Sequence, residues 1–188
     1  MAQIVTVHGY HGTSQEAADR ILAGEDFFVS ENDTDWLGDG VYFFQDAPYR
    51  SRDWPMMRLP EFRRIPNPAV LCAEIELVDC LDLIDIKAGE LVKKYYPRLK
   101  AGYRRLRQKI PQNKGGQRRR DRTLINYAIE HMKSSGESIG TVRAAFVEGR
   151  PIVPGSQLYS HAHVQIVVRP ERMEAIKNVW RHDFEGGE

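Results

Sequence analysis

An α+β domain with a largely antiparallel or mixed sheet is what this sequence predicts, on three observations. Short β-branched runs crowd both ends, helical patterns are scattered between them, and strands do not alternate regularly with long helices as a doubly wound fold requires. The length of 188 residues, 41% of them hydrophobic, suits one domain spanning 1–188 with a real core, and no internal repeat is visible.

The elements follow in order. Residues 3–8 are short and β-branched and predict a first strand. Thr13 or Ser14 can cap a helix over Gln15–Ala23, whose apolar face is Ala17, Ala18, Ile21 and Leu22 and which Gly24 ends. Phe27–Val29 predicts a short strand, Ser30–Asp35 a polar loop, and Gly40–Phe44 another strand entered through Gly38 and Gly40. A helix is expected over Ala47–Met57, with Pro48 in its first turn. Pro60–Pro68 is a proline-punctuated loop. Ala69–Leu77 predicts a strand with Val70, Cys72, Ile75 and Leu77 as core candidates, Leu81–Ile86 a short strand or turn, and Lys87–Leu99 a helix. Leu124, Ile125, Ala128, Ile129 and Met132 stand at helical spacing within Thr123–Lys133. Strands are expected at Thr141–Phe146 and His163–Arg169, and Met173–Trp180 fits helix or strand.

Net charge is only +1, but its distribution is uneven. Arg98–Arg122 holds eleven Lys or Arg against one acid, Asp121, so this stretch carries +10 and the remainder −9. It reads as a basic insertion at 98–122 with a flexible centre at Gly115–Gly116: either a solvated charged face, or a surface for the phosphates of RNA or DNA, bordered by Tyr95, Tyr96 and Tyr103. No run of eighteen apolar residues predicts a membrane span, and Met1–His8 lacks the pattern of a secretory signal. The two cysteines, Cys72 and Cys80, read as reduced thiols in apolar strands. These features predict a cytoplasmic protein with no membrane partner.

Four short motifs carry the chemistry. They are Tyr10-His11-Gly12-Thr13, the run Gly38-Asp39-Gly40-Val41-Tyr42-Phe43, the pair Ser51 and Trp54 one helical turn apart, and Gln165 on the late strand. Each alone has a plainer reading: a turn histidine, a bulged strand with a core tyrosine, a core tryptophan beside an exposed serine. Their joint occurrence in this order resembles the catalytic domain of ADP-ribosyltransferases of the diphtheria-toxin and poly(ADP-ribose) polymerase type. That family shows His-Gly-(Ser/Thr), then Gly-x-Gly-(Ile/Val)-Tyr-Phe, then a Ser with an aromatic three residues on, then a Glu on a late strand. The resemblance extends from about Val7 to Trp180, with no motif between Pro55 and Ile139.

The resemblance implies a split β-sheet core with peripheral helices, and NAD as substrate. It implies that His11 holds the adenosine ribose with Thr13 supporting its loop, that Gly12 and Ser51 hold the carboxamide, and that Tyr42 and Trp54 sandwich the nicotinamide. Stacking and cation–π attraction to that ring are worth about 0.5–2 kcal/mol per face. The implied catalytic set is His11, Tyr42 and Gln165. Gln165 stands where the family has Glu; an amide can bind a ribose hydroxyl but cannot act as a base. Glu148, at the end of the strand before, is either a substitute base or a solvated turn acid. The implied activity is single transfer of ADP-ribose to a protein or nucleic-acid acceptor. By analogy of fold and size this suggests a bacterial toxin or defence effector with a possible antitoxin. The alternatives are an NAD glycohydrolase and an inactive module that binds nucleic acid through the basic segment. No metal is expected: His161 and His163 lack a third ligand, and Asp33, Asp35 and Asp39 lack an EF-hand pattern.

Overall fold

The computed structural model describes residues 4–58 and 63–184. The strands are β1 (Thr6–Thr13), β2 (Val41–Gln45), β3 (Ala69–Glu76), β4 (Cys80–Asp82), β5 (Thr141–Phe146), β6 (His163–Val168) and β7 (Ile176–Arg181). The helices are α1 (Gln15–Leu22), α2 (Pro48–Asp53), α3 (Ile86–Arg105) and α4 (Arg119–Ser134). The chain is thus α+β around one seven-stranded open sheet in the order β4-β5-β6-β2-β1-β3-β7. All neighbours are antiparallel except β4 and β5, so the sheet is mixed. Among the described residues no helix is long and apolar enough to cross a membrane.

Both faces of the sheet are covered. On one, Phe43, Leu71, Ile75, Ile166 and Val168 pack with Ala18 of α1 and Phe27. On the other, Val142, Val167 and Leu81 pack with Val92 of α3 and with Ile125, Ile129 and Met132 of α4. Central strands with two buried faces need apolar residues at every position, hence the unbroken run Ile166-Val167-Val168. Each such side chain contributes about 1.5–3 kcal/mol of burial.

Local chemistry fixes the ends. Ser14 caps α1 by accepting from the Ala17 amide at 3.1 Å, and Asp85 caps α3 by accepting from Lys87 at 2.7 Å. Pro55 cannot donate to the helical ladder, and α2 gives way at Trp54–Arg58 to a wider π-helical turn. The helix expected at Ala47–Met57 is therefore two short pieces. The first strand is longer than 3–8 because β3 pairs with all eight of its residues, from Thr6 opposite Glu76 to Thr13 opposite Ala69. The His-Gly-Thr motif consequently lies within the strand.

Other expectations are corrected. Phe27–Val29 forms no strand; a single bridge, Ser30 with Gly40, ties this segment down. The basic stretch does not interrupt the helical pattern throughout. Its first part continues α3 through Pro97 to Arg105, its last part opens α4, and Gly115–Gly116 is the tip of a tight turn closed by the Lys114–Gln117 bridge. The ambiguous segment resolves into a 3-10 turn at Pro170–Ala175 followed by β7. Cys72 is buried, Cys80 half-buried, and both are free thiols. The loop expected at Pro60–Pro68 lies partly outside the described residues.

Candidate functional site

The pairing of β1 with β2 is the weakest seam of the sheet. Two residue pairs join them, Gly9 with Gln45 and Tyr10 with Phe44, and beyond these the strands part. The sheet is therefore continuous by hydrogen bonding but splayed at this seam. The His11 side chain spans the gap, its Nδ1 lying 2.9 Å from the Tyr42 carbonyl oxygen. A pocket of about 260 Å³ opens here, lined from the sheet and α2 by His11, Gly12, Thr13, Tyr42, Phe44, Trp54, Pro55 and Gln165. Phe28, Ser30, Asn32, Thr34, Asp35 and Trp36 close it from the loop before β2, and Ile65 from beyond α2. Its volume lies just below the roughly 300–1,000 Å³ of small-molecule sites, enough for one end of an extended ligand.

Six of the eight predicted site residues line this pocket: His11, Gly12, Thr13, Tyr42, Trp54 and Gln165. Ser51 and Glu148 do not. Ser51 is fully buried behind Gly12, and its Oγ has no hydrogen-bond partner among the described residues. A Cβ on Gly12 would stand 2.1 Å from the Ser51 carbonyl oxygen, so only glycine lets β1 and α2 approach this closely. Glu148 is held by the buried Arg50 at 2.7 Å. The same guanidinium pairs with Asp53 at 3.4 Å and stacks over Phe44 and Trp54, 5.1 and 5.5 Å from the ring centroids. One face of the Trp54 indole is thus occupied by Arg50, and the Glu148 carboxylate is committed to an ion pair.

The electrostatics favour neutral groups on the sheet side. A carbonyl can only accept, so His11 Nδ1 carries the proton and Nε2 is left as an acceptor. Burial pushes the imidazole below its usual range, and it is uncharged at neutral pH. The Tyr42 hydroxyl donates to the Gly38 carbonyl at 2.7 Å and accepts from the Leu37 amide at 3.0 Å. Burial holds its pKa well above the ordinary value, so it contributes an aromatic face and a loop anchor and does not act as an acid at neutral pH. Gln165 is 4% exposed, and its Oε1 is buried without a hydrogen-bond partner among the described residues.

The charge comes from Asp35, an acid of the polar loop before β2. It is 7% exposed and accepts from the Ser30 hydroxyl at 2.9 Å and the Asn32 amide at 2.7 Å. Burial nevertheless outweighs these bonds and raises its pKa to about 6. The only sequence signal was its place beside Trp36 in the run leading to Gly38. Arg50 gave none, because its partners Glu148 and Asp53 are read as surface acids until the fold brings them together.

The pocket loop is itself held from α4. The Arg118 amide donates to the Asp33 carbonyl at 2.6 Å and its guanidinium stacks 4.0 Å above the Trp36 ring. Arg119 pairs with Asp33, Arg122 pairs with Asp39 at 2.6 Å, and the Asn126 side-chain Oδ1 accepts from the Asp39 amide at 3.0 Å. The basic stretch therefore forms the outer support of the pocket wall.

Over 76 residues, 40% of this chain, the sequence is 30% identical to an uncharacterized protein of Methanocaldococcus jannaschii. The match covers 35% of that protein, so the chain spans about a third of the length of the curated relative it matches. No family model matches the chain, and no solved structure matches it.

Proposed function

We propose that this chain binds NAD in the pocket at the β1–β2 seam, breaks the nicotinamide–ribose bond, and transfers ADP-ribose once to a macromolecular acceptor. One observation carries the reading. Six residues named by the motif resemblance, drawn from β1, β2, the turn after α2 and β6, line a single pocket. Aromatic walls from Tyr42, Phe44, Trp36 and Trp54 suit a flat cationic ring. The buried Asp35 carboxylate adds the one charge of complementary sign among the pocket-lining residues. His11 Nε2 is an acceptor suited to a ribose hydroxyl, the Gln165 amide lines the same pocket, and a neutral amide tolerates a dissociative cleavage in which no proton is abstracted before the bond breaks.

The test is incubation with NAD and cell extract, following nicotinamide release and labelled product, with NAD affinity measured by calorimetry. Release with a labelled macromolecule, lost in His11→Ala and Tyr42→Leu, is the expected result. A second reading has its own support. Gln165 supplies no charge and Glu148 is locked to Arg50, as a module that holds NAD without cleaving it would have. NAD binding with no release from any extract selects that reading, and free ADP-ribose with no labelled macromolecule selects a glycohydrolase.

A further inference from the structure

A second concave surface lies on the basic stretch. The groove, about 380 Å³, runs between the C-terminal half of α3, residues 106–112 and the start of α4. Lys100, Arg104, Lys109 and Arg120 line it with Tyr96 and Tyr103, and no carboxylate does. Tyr96, Lys100, Tyr103 and Arg104 fall at i, i+4, i+7 and i+8 on α3 and so share one helical face. None of the four cations makes an ion pair among the described residues, whereas Arg119 and Arg122 are paired to the pocket loop.

The segment is not a loose tail. Arg120 Nε donates to the Pro111 carbonyl at 3.1 Å, and Asn113 accepts from the Arg120 amide at 3.0 Å. This order is held against local preference. Lys100 and Arg104 repel across one turn, and Arg120 sits without an ion-pair partner among the described residues in the first turn of α4, beside Asp121, where the helix dipole disfavours cations. Local rules broken together in this way mark a functional surface.

We propose that this groove seats a single-stranded nucleic acid, phosphates on the four cations and bases on Tyr96 and Tyr103, and that the strand is the ADP-ribose acceptor. The acceptor half rests on the transferase reading. Interleaved aromatics favour unpaired bases over an acidic protein or a duplex. The groove and the pocket draw on one stretch of chain, since Arg118, two residues before the groove-lining Arg120, stacks on the pocket-lining Trp36. In the transfer, the bond from C1′ of the ribose to nicotinamide breaks, its electron pair leaving on nicotinamide. A nitrogen or oxygen of the strand forms the new bond to C1′, and its proton goes to solvent.

The experiment titrates the full chain into fluorescent 12-nucleotide RNA and DNA single strands at two salt concentrations. Four phosphate contacts predict a slope of about −2.8 in log affinity against log salt, hence about 50-fold weaker binding at ~200 mM than at ~50 mM. Lys100→Ala/Arg104→Ala/Lys109→Ala should cut that slope to about −0.7 while leaving NAD affinity unchanged. Tyr103→Leu should weaken binding about tenfold without changing the slope. With labelled NAD, label should enter the strand and be released by nuclease and not by protease; the RNA and DNA arms tell which strand is the acceptor. Absence of binding, a triple variant that binds like the parent, or preference for duplex or for polyglutamate overturns the groove assignment. Label confined to protein, with both ligands bound, overturns the acceptor half alone. Failure to bind NAD removes the transferase reading and the acceptor half with it, while the titration still decides the groove.

Discussion

Replacing Asp35 with Asn tests the charge logic of the pocket through stability alone. Burial raises the carboxyl from an ordinary 3.8 to about 6, so the folded state holds its proton more tightly than the unfolded chain does. The sign follows from linkage. Below pH 3.8 the group is protonated in both states and favours neither. As pH rises through about 6 the folded protein must ionise a buried carboxyl, and stability falls. A gap of about two units corresponds to about 3 kcal/mol. Asn cannot ionise, though its amide leaves one of the donors from Ser30 and Asn32 less well matched, a fixed loss of about 1 kcal/mol at every pH. The stability difference between Asp35→Asn and the parent should therefore move by about 3 kcal/mol in favour of the variant between pH ~3.5 and ~7.5. Urea titrations at several pH values measure it. A difference flat across that range would refute the claim that burial dominates at Asp35. On the proposed reading NAD supplies an independent readout: a cationic ring in the pocket would favour the ionised carboxylate, so affinity should fall as pH drops below about 6 in the parent and stay level in the variant.

Three further outcomes are expected. Gly12→Ala drives a methyl into the Ser51 carbonyl and should lower stability by about 1–3 kcal/mol and weaken NAD binding, whereas Gly89→Ala in the open interior of α3 should raise stability by about 0.5–1 kcal/mol; chemical denaturation of both separates a packing effect from a general intolerance of alanine. Arg50→Met strands the Glu148 and Asp53 carboxylates and should cost about 3–5 kcal/mol by urea unfolding; a loss under about 1 kcal/mol would show the network to be solvent-screened. Gln165→Glu installs the carboxylate that the motif resemblance implies and should raise nicotinamide release at least about tenfold at pH 8 with little change in KM, since charge in the transition state is what an amide cannot match; unchanged turnover would place the missing charge elsewhere, with Asp35 the next residue to change.

Much of the fold was legible because the signals are local. Alternation and β-branching marked β3, β5 and β6 to within a residue, and helical spacing marked the body of α4. What escaped was set by distant partners. The length of β1 is dictated by β3, the parallel pairing of β4 with β5 leaves no trace in three residues, and the helical ends of the basic stretch were hidden by charges that read as loop. At the pocket, residues in recognisable order were found, whereas Arg50 depends on Glu148, 98 positions away, and Asp35 on burial that composition does not reveal.

The splayed seam has a mechanical consequence. With two residue pairs between β1 and β2, the block β4-β5-β6-β2 and the block β1-β3-β7 share few backbone hydrogen bonds. Each block is internally laddered, but Phe43, Ile166 and Val168 of one pack against Leu71 and Ile75 of the other, so the seam is held by buried side chains and hardly at all by the backbone. Any ligand in the pocket touches both blocks, His11 to Thr13 on one side and Tyr42, Phe44 and Gln165 on the other. Such a ligand acts as a rivet, adding polar and aromatic contacts across a seam that the backbone leaves nearly unbonded.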